Sequence, residues 1–250
     1  MHPFIYSKEL MLIRPEETFK AGLCLCDCSK FTRYEEIVAF LHPQEKKYYE
    51  TLRFEKRIRS YLIGRLTAKK AIACLIRNDN LAAISIQAGI FNQPTVSCPD
   101  KQNIQVSISH CDDFGAAIAF LEVHPMAIDI EKIISTEQNQ AIERESTESE
   151  ITLIKRLSFS YEAMLTILWT AKEALSKVLK TGMMTSFKIF EIDRIEINSD
   201  HMLCFYKNFA QYKTIAFFIN DYICSIVYPM KTELNLDFHS LKKTFQNSLK

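Results

Sequence analysis

The chain has 250 residues, 48% of them hydrophobic and 24% charged, and its 31 Lys and Arg against 30 Asp and Glu leave a formal charge of +1. This is the composition of a globular protein with an ordinary core, and no apolar run is longer than that of residues 116–121, which excludes a membrane-spanning helix of roughly 20 residues. The five glycines, Gly22, Gly64, Gly89, Gly115 and Gly182, are too scattered for a Walker loop or a GxGxxG turn, so phosphate would have to be held by side-chain cations, a metal or helix N-termini.

The first residues, Met1-His-Pro-Phe-Ile-Tyr-Ser-Lys-Glu, show no basic segment followed by an apolar one. The expectation is a cytoplasmic chain whose eight cysteines, with no Cys-x-x-Cys pair among them, stay reduced. Cys24-Leu-Cys26-Asp-Cys28 has a metal-like look, yet a period of two also describes one strand face, and no fourth ligand for tetrahedral zinc stands nearby in sequence.

Residues 41–70 hold nine Lys and Arg against Glu45, Glu50 and Glu55. With Leu52, Ile58, Leu62, Leu66 and Ile72 at helical spacing, they predict one long basic helix. Alternating or short apolar runs predict strands at 84–86, 105–109, 116–121 and 126–130. Residues 131–150 carry six Glu against Lys132 and Arg144 among Ser, Thr, Gln and Asn, and read as a solvated or mobile connection. A helix follows over about 160–180, then strands near 187–197, 202–208, 213–219 and 222–228, the last two joined by a turn at Asn220-Asp221. Past Lys231 the chain reads as a short helix or tail. A helix followed by antiparallel strands, twice over, predicts an α+β fold of two similar lobes, 1–125 and 126–250. Each lobe would be a small, mostly antiparallel sheet packed with a long helix, the two related by a pseudo-twofold.

Three places carry chemistry. Asp129 and Glu131, two apart on a strand, leave the same face, either as ordinary acids on a wet surface or as hard oxygen ligands for Mg²⁺ or Ca²⁺. Glu173 and Lys177, four apart on a helix one turn beyond the lone Trp169, are either an exposed ion pair or part of a packed site, since Leu168, Ala171, Leu175 and Val178 flank them. His110 sits where a strand meets a turn and can donate to phosphate or serve as a turn residue.

The ordered set Ser109-His110, Ala127-Ile-Asp129-Ile-Glu131 and Trp169-x-x-Lys172-Glu173-Ala-x-x-Lys177 resembles the signature of the 4′-phosphopantetheinyl transferases in their two-lobed, surfactin-synthetase-activating form. The likeness extends to Leu41-x-Pro43, Arg53-Phe54, Leu62-Ile-Gly64 and Gln93-Pro94, and so covers roughly residues 40–190. It implies that Asp129, Glu131 and Glu173 bind Mg²⁺, or Mn²⁺ in its place. It also implies that the phosphopantetheine arm of coenzyme A is moved to a serine of an apo acyl or peptidyl carrier protein, releasing 3′,5′-ADP. Glu173 would be the base, Lys177 would hold the phosphate, and Ser109 and His110 would grip coenzyme A. Lys47, with Arg59 as a further candidate, would meet the 3′-phosphate, near the turn of Gln93 and Pro94. The same resemblance implies a monomer with its site at the lobe interface, serving fatty-acid, polyketide or nonribosomal-peptide synthesis. The sequence departs from the pattern at Ala127, where glycine is usual, at Gln93, where lysine is usual, and at Gly182-Met-Met, which keeps one glycine of a pair. Two other readings are a nucleic-acid-binding module using residues 41–70, against which the interleaved glutamates and near-zero net charge weigh, and a coenzyme A binder without transfer.

Overall fold

The computed structural model describes residues 2–90, 92–98 and 103–246. It comprises two compact units, Met1–Pro125 with Glu233–Lys250, and Met126–Thr232.

The first unit begins with the hairpin of β1 (Phe4–Ile13) and β2 (Thr18–Asp27), then runs through α1 (Glu35–Val38), α2 (Pro43–Tyr49) and α3 (Glu55–Ile76). A small ribbon, β3 (Ser85–Ala88) with β4 (Pro94–Ser97), precedes the hairpin of β5 (Ile104–Cys111) and β6 (Phe114–Leu121). Cys24 and Cys26 lie in β2 and are fully buried, as is Cys28 just after it, so this motif is a central strand packed on both faces. Helix α3 crosses the sheet over small residues, Ala68 and Ala71 on the helix and Ala117 and Ala119 on β6. Gly22 is the tightest point: a Cβ there would lie 2.0 Å from the Ala71 carbonyl oxygen. Gly22→Ala is therefore expected to lower stability by about 3 kcal/mol, since helix and sheet must part to admit it. A shifted urea midpoint would show this, and an unchanged midpoint would mean that the helix rides higher.

The basic segment is two helices and not one. α2 begins at a capping box in which the His42 side chain accepts from the Gln44 amide and the Glu45 carboxylate accepts from the His42 amide, with Pro43 at the first helical position. Glu45 then turns inward to a buried pair with Lys69 at 2.8 Å. In one unbroken helix those residues would stand about 36 Å apart, so the pair requires the chain to fold back on itself after α2.

The second unit contains β7 (Ala127–Lys132), α4 (Asn139–Arg144), α5 (Glu148–Lys155), α6 (Tyr161–Leu179), β8 (Ile192–Ile197), β9 (Met202–Tyr206), β10 (Tyr212–Ile219) and β11 (Tyr222–Pro229). Its sheet is antiparallel throughout, in the order β7-β11-β10-β9-β8, and α6 lies on β7 and β11. The β10–β11 turn falls at Asn220-Asp221, with Asn220 at φ 51°. Residues 131–150 are mostly exposed or half-buried but are not an unstructured connection: after the end of β7 they form a 3₁₀ turn, α4 and the start of α5, and Ile142, Ser146 and Glu150 are buried. The cause is local, because Ser135 with Gln138 and Thr147 with Glu150 make capping boxes that start helical turns. Residues 187–190 form a 3₁₀ turn instead of strand, since Phe187 and Phe190 both enter the core and a strand would send them to opposite sides or out of step.

From Glu233 the chain returns to the first unit, where the sequence placed it with the second lobe. There β12 (Glu233–Leu234) pairs with β1, completing a sheet ordered β12-β1-β2-β6-β5, and α7 (Phe238–Gln246) buries Leu241 and Phe245. The Phe245 ring packs 5.1 Å from Phe114, an apolar contact too distant in sequence for any local pattern to announce. Both units are thus a five-stranded antiparallel sheet with one long helix, an α+β fold. Among the described residues, no helix is long and apolar enough to cross a membrane.

Candidate functional site

In the second unit, the strand alternation of β7 sends Asp129 and Glu131 to the face on which α6 lies, while Ile128 and Ile130 take the other. Helical spacing on α6 brings Glu173 and Lys177 to the same place. Asp129, Glu131 and Glu173 each offer a carboxylate oxygen, all within 4.8 Å of one another, and Asp129 is wholly buried. The Lys177 ammonium stands among them, donating to Asp129 Oδ1 at 2.6 Å and to the Ile128 carbonyl at 3.2 Å, and lying 3.8 Å from Glu173 Oε1. Burial, then the neighbouring Asp129 charge, raises the Glu173 carboxyl above its ordinary range, with Lys177 and the Trp169 side chain opposing. Burial works against the Lys177 charge, but Asp129 and Glu173 outweigh it and hold the amine above its ordinary range.

With three carboxylates against one ammonium, the cluster keeps two negative charges in a partly buried place. Hard oxygen donors and that charge fit a divalent cation such as Mg²⁺ or Mn²⁺. Ala127 is accommodated, since its φ is not positive and the strand demands no glycine there. Trp169 packs 5.0 Å from Phe187 at the edge of the core.

In the first unit, a cavity of about 880 Å³ lies between α2, the first half of α3, the β3–β4 ribbon and the end of β5. Lys47, Arg57 and Arg65 give it positive charge. His110 lines it too, its Nε2 hydrogen-bonded to the Ser60 hydroxyl. Gln44, Gln87 and Asn92 add amides, and Tyr48 and Tyr61, 5.1 Å apart, add aromatic wall. Of the residues the sequence singled out here, Lys47, Pro94 and His110 line the cavity, while Ser109, Gln93 and Arg59 do not. Ser109 is out of phase with His110 on β5. The Gln93 amide lies against Gly89, where a Cβ would come within 2.6 Å of it. Arg59 is engaged elsewhere, bonded to Asp113 at 2.8 Å and to the Tyr34 hydroxyl at 3.2 Å, with its guanidinium 5.0 Å from the Tyr34 ring.

Sequence reasoning missed Arg57, Ser60 and Arg65. The signal was present as a polar helical stripe: positions 57, 60, 61, 64 and 65 recur at i, i+3, i+4, i+7 and i+8, and all line the cavity. Position 59 is off that stripe.

Residues 125–227 match the family model described as the 4′-phosphopantetheinyl transferase superfamily. Among solved structures, the chain is similar to a holo-(acyl-carrier-protein) synthase from Bacillus anthracis str. Ames in complex with CoA (3′,5′-ADP), with 18% identity over 44% of this chain and 96% of that one and a TM-score of 0.36. No curated protein matches the sequence.

Proposed function

We propose, on the premise that the chain belongs through residues 125–227 to the 4′-phosphopantetheinyl transferase superfamily, that it moves the phosphopantetheine arm of coenzyme A to a serine of an apo acyl or peptidyl carrier protein in the cytoplasm. The observation that carries this reading is the convergence of Asp129, Glu131, Glu173 and Lys177 inside the matched region. Asp129, Glu131 and Glu173 would hold Mg²⁺ or Mn²⁺, which when bound would neutralise the charge of the coenzyme A pyrophosphate and stabilise the 3′,5′-ADP leaving group.

The chain's own residues supply the rest. The cavity of the first unit, with Lys47, Arg57, Arg65 and His110, takes the phosphorylated nucleotide end of coenzyme A; its volume suits a ligand of that size. The carrier serine oxygen bonds to the phosphorus next to the pantetheine arm, the bond from that phosphorus to the bridging oxygen breaks, and 3′,5′-ADP leaves. Glu173, directly or through a water, takes the serine proton. Lys177 places an ammonium where negative charge gathers on the phosphoryl oxygens.

Incubation with coenzyme A, Mg²⁺ and a panel of apo carrier proteins is expected to add one phosphopantetheine to a carrier, read by intact mass. Chelation should stop the reaction, and added Mg²⁺ should restart it. A folded protein that modifies no carrier in the panel would refute the proposal.

A further inference from the structure

One wall of the first-unit cavity contains a charge arrangement that attraction of an anion in general does not require. The Glu45 carboxylate is buried and saturated: one oxygen accepts from the Ile86 amide at 2.9 Å and faces Arg65 Nε at 3.5 Å, and the other accepts from the His42 amide at 2.9 Å and Lys69 Nζ at 2.8 Å. Lys69 is wholly buried, and all three of its protons have acceptors, namely Glu45, the Leu81 carbonyl at 3.0 Å and the Ile84 carbonyl. That is the coordination of an ammonium. One carboxylate therefore serves two cations, and a positive charge is left over at the cavity wall.

That surplus is localised on Arg65. Its side chain is only 17% exposed, its Nε is buried without a hydrogen bond, and its guanidinium lies 4.7 Å from the Tyr61 ring centroid. Lys47 and Arg57, by contrast, are exposed and can swing with solvent. A planar fork held in place by stacking and by a buried carboxylate loses little freedom when it meets a phosphate, so it discriminates where a mobile lysine merely attracts.

We propose that Arg65 is a specificity-determining residue of this cavity, reading a phosphate group of the bound ligand, and that Glu45 and Lys69 are the positioning pair that sets it. This rests on the reading of the cavity as the coenzyme A site. Coenzyme A carries two candidate sources of that phosphate, the 3′-phosphate and the pyrophosphate, and dephospho-coenzyme A, which lacks the first, separates them.

Calorimetric titration of both compounds into the full-length protein is the test, with thermal melting as the control for folding. Arg65→Met is expected to fold as wild type and to bind coenzyme A about tenfold or more weakly, and Arg65→Lys to recover only part of the loss because the fork is gone. A loss confined to coenzyme A assigns the 3′-phosphate; an equal loss on both compounds assigns the pyrophosphate. Glu45→Gln also strands the buried Lys69 and is expected to lower the melting temperature; assayed well below that temperature, it is expected to raise KM for coenzyme A with kcat at saturation unchanged, a split that general loosening of the fold would not produce. Should Glu45→Gln fail to fold, the Arg65 variants still decide. Wild-type affinity for both compounds in Arg65→Met overturns the inference while leaving the functional reading intact. Failure of the wild-type protein to bind coenzyme A overturns that reading, and this inference with it.

Discussion

Asp129→Asn is expected to reduce divalent-ion affinity by roughly a hundredfold and phosphopantetheine transfer by about a thousandfold or more, the equivalent of several kcal/mol of lost charge stabilisation. Asparagine keeps the shape of a wholly buried residue while removing its charge and exchanging one acceptor oxygen for an NH₂ donor. Glu131 and Glu173 then face the ion with one ligand fewer, and the cluster keeps one net negative charge against the same Lys177. Two effects on the ion-free fold oppose each other. Lys177 loses its partner at 2.6 Å but retains Glu173, while Glu173 is freed of the neighbouring negative charge that helps to raise its carboxyl. Melting without added ion should accordingly move little. Titration with Mn²⁺ and initial transfer rates measure the outcome, and a variant that keeps both affinity and rate would put the ion somewhere else.

Glu150→Gln is expected to cost about 3–5 kcal/mol of stability, seen as a large fall in the urea midpoint, because it strands a buried cation. Glu150 has no exposed surface, and it accepts from Lys172 Nζ at 2.7 Å, from the Thr147 amide at 2.7 Å and from the Ile192 amide at 2.9 Å. Lys172 has one further acceptor, the Glu145 carbonyl at 3.0 Å. Burial holds the Lys172 amine below its ordinary range, and Glu150 offsets only part of that. Glutamine keeps an acceptor oxygen but takes away the countercharge. Removing both partners tests the cause: Glu150→Leu with Lys172→Met should recover most of the loss, since a packed apolar pair needs no countercharge. A single variant as stable as wild type would show that the pair contributes nothing.

The same construction occurs in each unit. A short helix opens on a capping box whose glutamate, Glu45 or Glu150, turns inward to a buried lysine on the long helix, Lys69 or Lys172, and accepts a strand amide, Ile86 or Ile192. In the first unit the carboxylate also faces Arg65 and so reaches the cavity wall. In the second, Lys172 immediately precedes Glu173 on α6, so the pair holds the helix that carries the acid cluster.

Most strands and α6 were legible, because alternation and helical spacing are local signals and the core enforces them. The acid cluster was legible for the same reason: two residues on a strand and two on a helix have faces set by their own periodicities, and an ordered motif joined them. Three capping boxes were also written in the sequence, at residues 42–45, 135–138 and 147–150, but the basic run around the first and the polar composition around the other two hid them.

The sequence by itself determined that α3 and α6 are helices, that Asp129 shares a face with Glu131 and that Glu173 shares one with Lys177, since each follows from spacing within a single element; that the two pairs meet was implied only by the resemblance of the ordered motifs. Only the tertiary structure decided that the basic segment breaks after α2, that Glu233 onward rejoins the first unit, and that Arg65 lines the cavity while Arg59 is taken by Asp113. Each of these depends on a pairing between residues far apart along the chain, Glu45 with Lys69, Phe245 with Phe114, Asp113 with Arg59. A buried charge settles where its countercharge is, and no periodicity within one element encodes where that will be.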